Sequence, residues 1–352
     1  MKTLKKHLES SPVKASAACR IDCGGTLDIK TFYYPLRHLS PCTFNIALDM
    51  KTQVRLLPYS AGQIKVSSRG FRPEVYPADN APFSGPLGLI FAIAAYFRVD
   101  GVHIEILSES PPRSALGGSS TAAVALIGAM SDALTGDDTP RMSTRQIVLL
   151  AHAIEEAVAG IPCGLQDQLA AAYGGVHAWY WPGAPSDPPF KKTEVLKKED
   201  YATLETHILL AYCGVPHESQ DINSKWIDHF VRGKARRFWP EIVSCTNEFV
   251  RAMTAKDWDA AVRAMNKEVE IRRKMTPEVF DEKGEALLKS ALAHDCGARF
   301  TGSGGGGCIW ALGREENIRM LSHEWADILS TKEGAKLLDA RVDPNGLEVT
   351  RY

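Results

Sequence analysis

Three short stretches of this chain concentrate residue types that handle phosphate and protons. The first, "PPRSALGGSSTAAVALIGAM" at 111–130, runs a Gly-Gly-Ser-Ser-Thr turn directly into an alanine-rich apolar helix. The N–H groups of a helix start lack intrahelical partners, and the macrodipole favours negative charge there. Gly117, Gly118, Ser119, Ser120 and Thr121 therefore read as a phosphate cradle whose hydroxyls could also hold Mg²⁺, as a P-loop hydroxyl does. No lysine follows the glycines, so this is not a Walker A loop. The plainer reading of the same residues is an N-cap with a flexible lead-in.

The second stretch, "EEAVAGIPCGLQDQLAAAYGG" at 155–175, ends one helix on Glu155 and Glu156 and places Asp167 at the start of the next. A carboxylate at that position is held by the helix dipole and can receive or orient a proton beside phosphates. Alternatively, Asp167 is an N-cap and the glutamates are solvated surface. The third, "CRIDCGGTLD" at 19–28, puts Arg20 on a strand and Asp28 after a tight turn. A guanidinium pairs bidentately with phosphoryl or carboxylate groups, and the aspartate can accept sugar hydroxyls; a surface turn with an incidental ion pair is the bland alternative. A fourth stretch, "TGSGGGGCIW" at 301–310, holds four consecutive glycines between apolar flanks. Such a run persists where the backbone needs positive φ or must approach another group closely.

These groups need elements to hold them. "ACRID", "TFNIALDMKTQVRLL", "QIKVSS" and "VHIEILSES" read as strands, and "GPLGLIFAIAAYF" as a buried helix. The helix from Gly118 is expected to run to Gly136, and the next to start at Ser143 or Thr144 and stop at Gly160. The proline-rich "WPGAPSDPPFKK" marks a loop, after which "THILLAYCG" reads as a strand and residues 221–294 as mainly helical. "ARFT" and "CIWAL" flank the glycine run, a helix surrounds "NIRMLSHEWADILS", and "GLEVTRY" closes the chain as a strand. Both halves are α+β, with helices on a small antiparallel sheet in the second, and the boundary falls near residue 200. This gives domains of 1–200 and 201–352.

The totals narrow the function. With 352 residues and 45% hydrophobic composition the chain can bury a large core, and its formal charge of −1 carries no clustered basic face for nucleic acid. The N-terminal lysines precede no apolar signal segment, and the apolar runs are too short to span a bilayer, so a cytoplasmic protein with no membrane partner is expected. Eight cysteines with no Cys-x-x-Cys pair read as reduced, mostly buried thiols. Oligomeric state is not legible.

Taken in order, "CRIDCGGTLD", "PPRSALGGSSTAA", "AGIPCGLQDQ" and "GARFTGSGGGGCIW" resemble the signature motifs and catalytic-aspartate segment of the GHMP kinase superfamily, from residue 19 to about 310. "AGIPCGLQDQ" is similar to galactokinases, and "QDQLAAAYGGVHAW" to kinases acting on the anomeric hydroxyl of heptose 7-phosphate. The resemblance implies a two-domain fold, an N-terminal ribosomal-S5-domain-2-like unit and a C-terminal ferredoxin-like α+β unit. It implies ATP and Mg²⁺ as co-substrate and metal, and an enzyme that transfers the γ-phosphoryl to the anomeric C1 hydroxyl of a small-molecule sugar or sugar phosphate, a heptose 7-phosphate-like substrate first, with galactose, fucose, arabinose or a uronic acid as the alternative.

Carried over to this chain, the resemblance makes 117–121 the phosphate loop, with Ser120 and Glu155 on Mg²⁺ and Glu156 the fallback. Asp167 becomes the catalytic aspartate, as base or as orienting group, and Arg20 neutralises charge near the transferred phosphoryl. Gly302, Ser303, Gly304 and Gly305 fold against the nucleotide cradle, while Gly25, Thr26, Asp28, Gly164 and Tyr173 face the substrate. Galactokinases carry a Glu-His pair where this chain has "GGTLD", which disfavours galactose, and Leu27 between Thr26 and Asp28 departs from the heptose kinase pattern. His217 and Ser219 in "GVPHESQDIN" are further candidate contacts. The rival classes are a catalytically silent sugar sensor and a superfamily member acting on mevalonate-type alcohols or as a decarboxylase.

Overall fold

A long hairpin of strands organises the first half. The computed structural model describes residues 2–136, 140–184, 186–215 and 219–352. Strand Val13–Cys23 pairs antiparallel with Cys42–Pro58, whose second half pairs with Val102–Ser108 and whose first half pairs with Val176–Tyr180. Gln63–Ser68 adds in parallel to Val102–Ser108, and Lys191–Leu196 pairs with Val176–Tyr180. The last two residue ranges escaped sequence reading in part: Val176–Tyr180 is nearly all buried, so it lacks the in-out alternation that marks a half-exposed strand.

Helices cover this sheet. Gly118–Ala133 is buried on almost every side because it lies between the sheet and helices Thr144–Ala159 and Gln166–Tyr173, which is why its sequence is apolar all round. It ends at Ala133, short of the expected Gly136. Thr144–Ala159 starts on a capping box between Ser143 and Gln146 and stops at Gly160, which takes the left-handed conformation with φ +67°.

The second half builds a four-stranded antiparallel sheet, Gly297–Phe300, Cys308–Leu312, Ile208–Tyr212 and Lys336–Leu338, flanked by helices that include Phe238–Ala255 and Trp258–Met275. The fold is thus α+β with two sheets. The expected boundary at 200 lies between Lys191–Leu196 of the first sheet and Ile208–Tyr212 of the second. The chain end crosses that boundary: Glu348–Arg351 pairs with Val13–Cys23 and joins the first sheet. Conversely Leu27, Ile29, Phe32 and Leu36 bury into the helical core of the second half, with Phe32 stacked on Trp239 at 3.9 Å. A third core fills the seam, where Phe44 meets Phe249 edge-on and Trp310 donates its indole N–H to the Asp22 carbonyl.

Candidate active site

Arg20 and Asp167 form the centre. Arg20 lies on the first strand, and its Nε and Nη2 donate to the two carboxylate oxygens of Asp167 at 2.8 and 2.9 Å. Its Nη1 donates to the Ala115 carbonyl at 2.6 Å, so all three nitrogens are engaged. Burial alone would lower the guanidinium pKa; the charges of Asp167 and Asp22 outweigh it and raise the value. Asp167 stands in the first turn of Gln166–Tyr173, as expected.

Beside this pair is the start of the Gly118–Ala133 helix. Gly117 is left-handed (φ +79°), and a Cβ there would stand 3.2 Å from the Asp167 carboxylate. Ser119 and Ser120 each donate their hydroxyl to one oxygen of Glu155 at 2.7 Å, and Gln168 adds an amide donor at 2.6 Å. Burial pushes the Glu155 pKa up, and the serine hydroxyls oppose that rise. Glu155, not Glu156, faces the site; Glu156 accepts from the Cys163 N–H outside it.

A cleft of about 450 Å³ runs past these groups. Its lining includes the apolar side chains of Phe71, Leu87, Ile90 and Ile106 and the arginines Arg69 and Arg113. Thr26, Asp28, Cys163, Gly164 and Asn223 line the same cleft. Asp28 is 3% exposed; its Oδ2 accepts the Gln166 N–H at 2.9 Å, while Oδ1 has no partner among the described residues. Burial, opposed by that N–H and reinforced by the Asp167 charge, lifts Asp28 to a pKa of about 7. Gly164 is required by this packing, because a Cβ there would fall 1.9 Å from the Asp28 carboxylate. Burial, reinforced by the Glu155 and Glu156 charges, pushes the Cys163 thiol up to about 12.

The glycine run meets the cradle as its sequence implied, at one end. A Cβ on Gly307 would lie 2.7 Å from the Ser114 carbonyl and 2.8 Å from Ala115 Cβ, on the loop leading to the phosphate helix. Gly302 and Ser303 line the cleft, and the Gly302 N–H donates to Asp22 at 2.7 Å.

Several expected contacts are corrected. Gly304 and Gly305 pack on Val279, away from the cleft. Thr121 spends its hydroxyl on the Gly117 and Ala18 carbonyls, and its N–H closes the first helical bond, so it clamps helix to strand. Gly25 lies against Asp22, Gly302 and Gln166 rather than on the cleft, which makes it a spacer. Thr26 lines the cleft, but its hydroxyl accepts from Arg272. Tyr173 lies at the far end of its helix, packed on Trp179 and Phe190, because six residues of helix carry it about 9 Å from Asp167. His217 is outside the described residues, and Ser219 is described in backbone alone.

A buried chain of alternating charges was not anticipated. Asp22, two residues from Arg20 and so on the same strand face, takes Arg299 Nη1 at 2.8 Å and lies 3.5 Å from Arg20. Arg299 and Arg272 both bind Glu268, and Arg272 also donates to the Gly25 carbonyl. Period-2 alternation in "CRID" and the i,i+4 spacing of Glu268 and Arg272 were the local signals for this; the links from Asp22 to Arg299 and from Arg272 to Gly25 join residues 277 and 247 positions apart.

The donors fit Mg²⁺. Among the described residues no cluster of three or more His, Cys, Asp or Glu could cage a metal, yet Ser120 and Glu155 offer hard oxygens beside the cradle. That suits an ion bound by one carboxylate plus substrate phosphates.

A helix-borne anion cradle facing an arginine-clamped aspartate defines a phosphoryl-transfer type of site. Residues 87–175 match the GHMP kinases N terminal domain, so the chain carries that domain and has the GHMP kinase fold. It is 24% identical over 298 residues to a mevalonate kinase of Thermococcus sibiricus, covering 77% of this chain and 82% of that one. It is 25% identical over 300 residues to the probable glucuronokinase 2 of Arabidopsis thaliana, covering 78% and 77%. Among solved structures, a D-glycero-D-manno-heptose 1-phosphate kinase from Bacteriodes thetaiotaomicron superposes with a TM-score of 0.72 at 17% identity, over 97% of this chain and 99% of that one.

Proposed function

We propose that the protein is an ATP- and Mg²⁺-dependent kinase that transfers the γ-phosphoryl group to the anomeric C1 hydroxyl of a sugar or sugar phosphate. The observation that carries this reading is the bidentate Arg20–Asp167 pair, placed between the Gly117–Ser120 cradle and the Asp28 end of the cleft. The apolar end accepts a purine, and the free N–H groups of the helix start receive its phosphates. Each Asp167 oxygen keeps a lone pair beyond its arginine bond, so it can accept the acceptor hydroxyl proton as that oxygen attacks phosphorus and the bond to ADP breaks. Arg20 fixes the carboxylate and adds positive charge beside the transferred group. Bound Mg²⁺ supplies further charge neutralisation on the phosphate oxygens. Catalysis by positioning and charge is what such a transfer requires.

The relatives support a kinase, and their names divide between mevalonate and sugar acids. Sugar is preferred here because Asp28 ends the acceptor side. A sugar sensor would have no need of the complete Arg20, Ser120, Glu155 and Asp167 set. The two-domain division, 1–200 for nucleotide and 201–352 for the partner domain, and a cytoplasmic location belong to the same proposal. All eight cysteines are free, and no helix among the described residues is long and apolar enough to cross a membrane.

The test is incubation with Mg-ATP and a panel of heptose 7-phosphate, galactose, fucose, arabinose and glucuronic acid, following ADP and then locating the phosphate by ³¹P NMR. One strong substrate phosphorylated at C1 supports the reading. Silence across the panel with ATP still bound would replace it with the sensor.

A further inference from the structure

Resting on the kinase reading above, we infer that Gln168 is a positioning residue for the divalent cation, its side-chain amide joining Ser120 and Glu155 into one binding unit. The three side chains come from three helices. Ser120 stands in the first turn of Gly118–Ala133, Glu155 in Thr144–Ala159 and Gln168 in Gln166–Tyr173. Gln168 Nε2 donates to Glu155 Oε2 at 2.6 Å and to Ser120 Oγ at 3.3 Å. An amide nitrogen carries two hydrogens, so one group serves both bonds.

Charge decides which end of the amide faces Glu155. An ionised carboxylate only accepts hydrogen bonds, so a carbonyl oxygen at 2.6 Å would be repelled and the nitrogen must stand there. With Ser119 and Ser120, Gln168 completes a set of three neutral donors on that carboxylate. Neutral donors fix its orientation without cancelling its charge, and an oriented negative oxygen is what a hard cation takes. The other end of the amide argues against a role in packing alone. Gln168 is 1% exposed and lines the cleft, yet its Oε1 has no partner among the described residues. A buried amide kept for the fold has both ends paired. Here the paired end is the one facing the two candidate ligands, and Mg²⁺, which keeps several of its waters, brings donors of the kind the free end lacks.

Helix geometry assigns this task to the residue after Asp167. Successive helical residues point about 100° apart, so Asp167 turns to Arg20 while Gln168 turns to Glu155. One peptide unit thereby sets the spacing between the proposed proton acceptor and the carboxylate offered to the cation.

The experiment holds AMP-PNP, a non-hydrolysable ATP analogue, on an excess of the protein and titrates Mn²⁺, reading the free ion by EPR. Gln168→Met keeps the length of the side chain and makes neither bond. Its Kd for Mn²⁺ should rise about tenfold or more, the usual cost of losing a group that orients a metal ligand, while calorimetry shows the metal-free Kd of AMP-PNP unchanged. Gln168→Asn keeps an amide but draws it back by one methylene, so it should show a smaller loss in the same direction, and it carries the test if the Met variant does not fold. The double variant separates positioning from fold. In a Glu155→Gln background, Gln168→Met should add less than about threefold, because a residue acting through Glu155 has nothing left to position. A full second loss in that background, or an unchanged Mn²⁺ Kd in both Gln168 variants, overturns the inference and leaves the kinase standing. A parent protein that binds AMP-PNP but takes up no more Mn²⁺ than the free analogue also overturns it. Failure of the parent to bind AMP-PNP at all removes the kinase reading and this inference together.

Discussion

In the proposed kinase, Asp167 is the residue on which the chemistry turns, and its arginine partner makes a clean test possible. Asp167→Asn keeps the side chain's shape but removes the proton acceptor, so kcat should fall by roughly 10²- to 10⁴-fold. Near-normal turnover would remove Asp167 from the mechanism. Glu155 gathers the Ser119 and Ser120 hydroxyls, so Glu155→Gln is expected to raise the Mg²⁺ concentration needed for half-maximal rate; an unchanged titration would mean another ligand. Asp28 shows the site working against the fold. Its folded pKa of about 7 lies above the ordinary carboxylate value, so the neutral acid is the form the fold prefers. Its contribution to stability is complete below about pH 4 and is lost as pH rises through 7. The Tm of Asp28→Asn relative to the parent should therefore be more favourable at pH 8 than at pH 5, by thermal melts at both. Equal differences at the two pH values would show that Asp28 titrates normally.

Among the elements, the loop pair of Ser114–Ala115 and the glycine run sets the width of the cleft's middle. Gly307 has φ +82° and no room for a Cβ against the facing loop. Gly307→Ala should cost about 1–3 kcal/mol from strain at this φ and lower kcat, because Ala115 also anchors Arg20. Urea unfolding with steady-state kinetics would read both effects; an intact kcat would show that the loops move apart freely. The run was legible as close approach because four glycines in a row have few other uses. That the contact is made by Gly307 and Gly302, while Gly304 and Gly305 lean on Val279, depends on how the hairpin turns, which no local pattern encodes. Helix Gln166–Tyr173 teaches the same point, since its first turn serves the site and its last, with Tyr173, serves the core.

Across the whole molecule, the buried run Asp167–Arg20–Asp22–Arg299–Glu268–Arg272 ties the site to both sheets. Asp22 is its pivot, holding the Gly302 N–H as well as two arginines. Removing one charge from such a network leaves a partner buried and uncompensated, so Asp22→Asn should lose about 3–5 kcal/mol in urea titration. A loss within 0.5 kcal/mol, the range of an ordinary surface change, would show that the network contributes little.

The glycine-serine helix start, Asp167 and Arg20 stood out in the chain as candidates because each sits where local physics already constrains its type, while the roles proposed for them came from the family resemblance. Helix starts leave N–H groups free, strands alternate faces, and only glycine enters positive φ without strain. The α+β character and most strands follow from the same local rules. What only the tertiary structure decided is partnership across the sequence. It determined that Glu155 rather than Glu156 faces the serines, that Asp28 is buried with an oxygen unanswered, that Asp22 joins Arg20 to Arg299, and that the last strand returns to the first sheet. Those outcomes depend on the energy of burying charges and closing a sheet edge between segments that lie from 35 to 277 residues apart or further, and no window of neighbouring residues contains it.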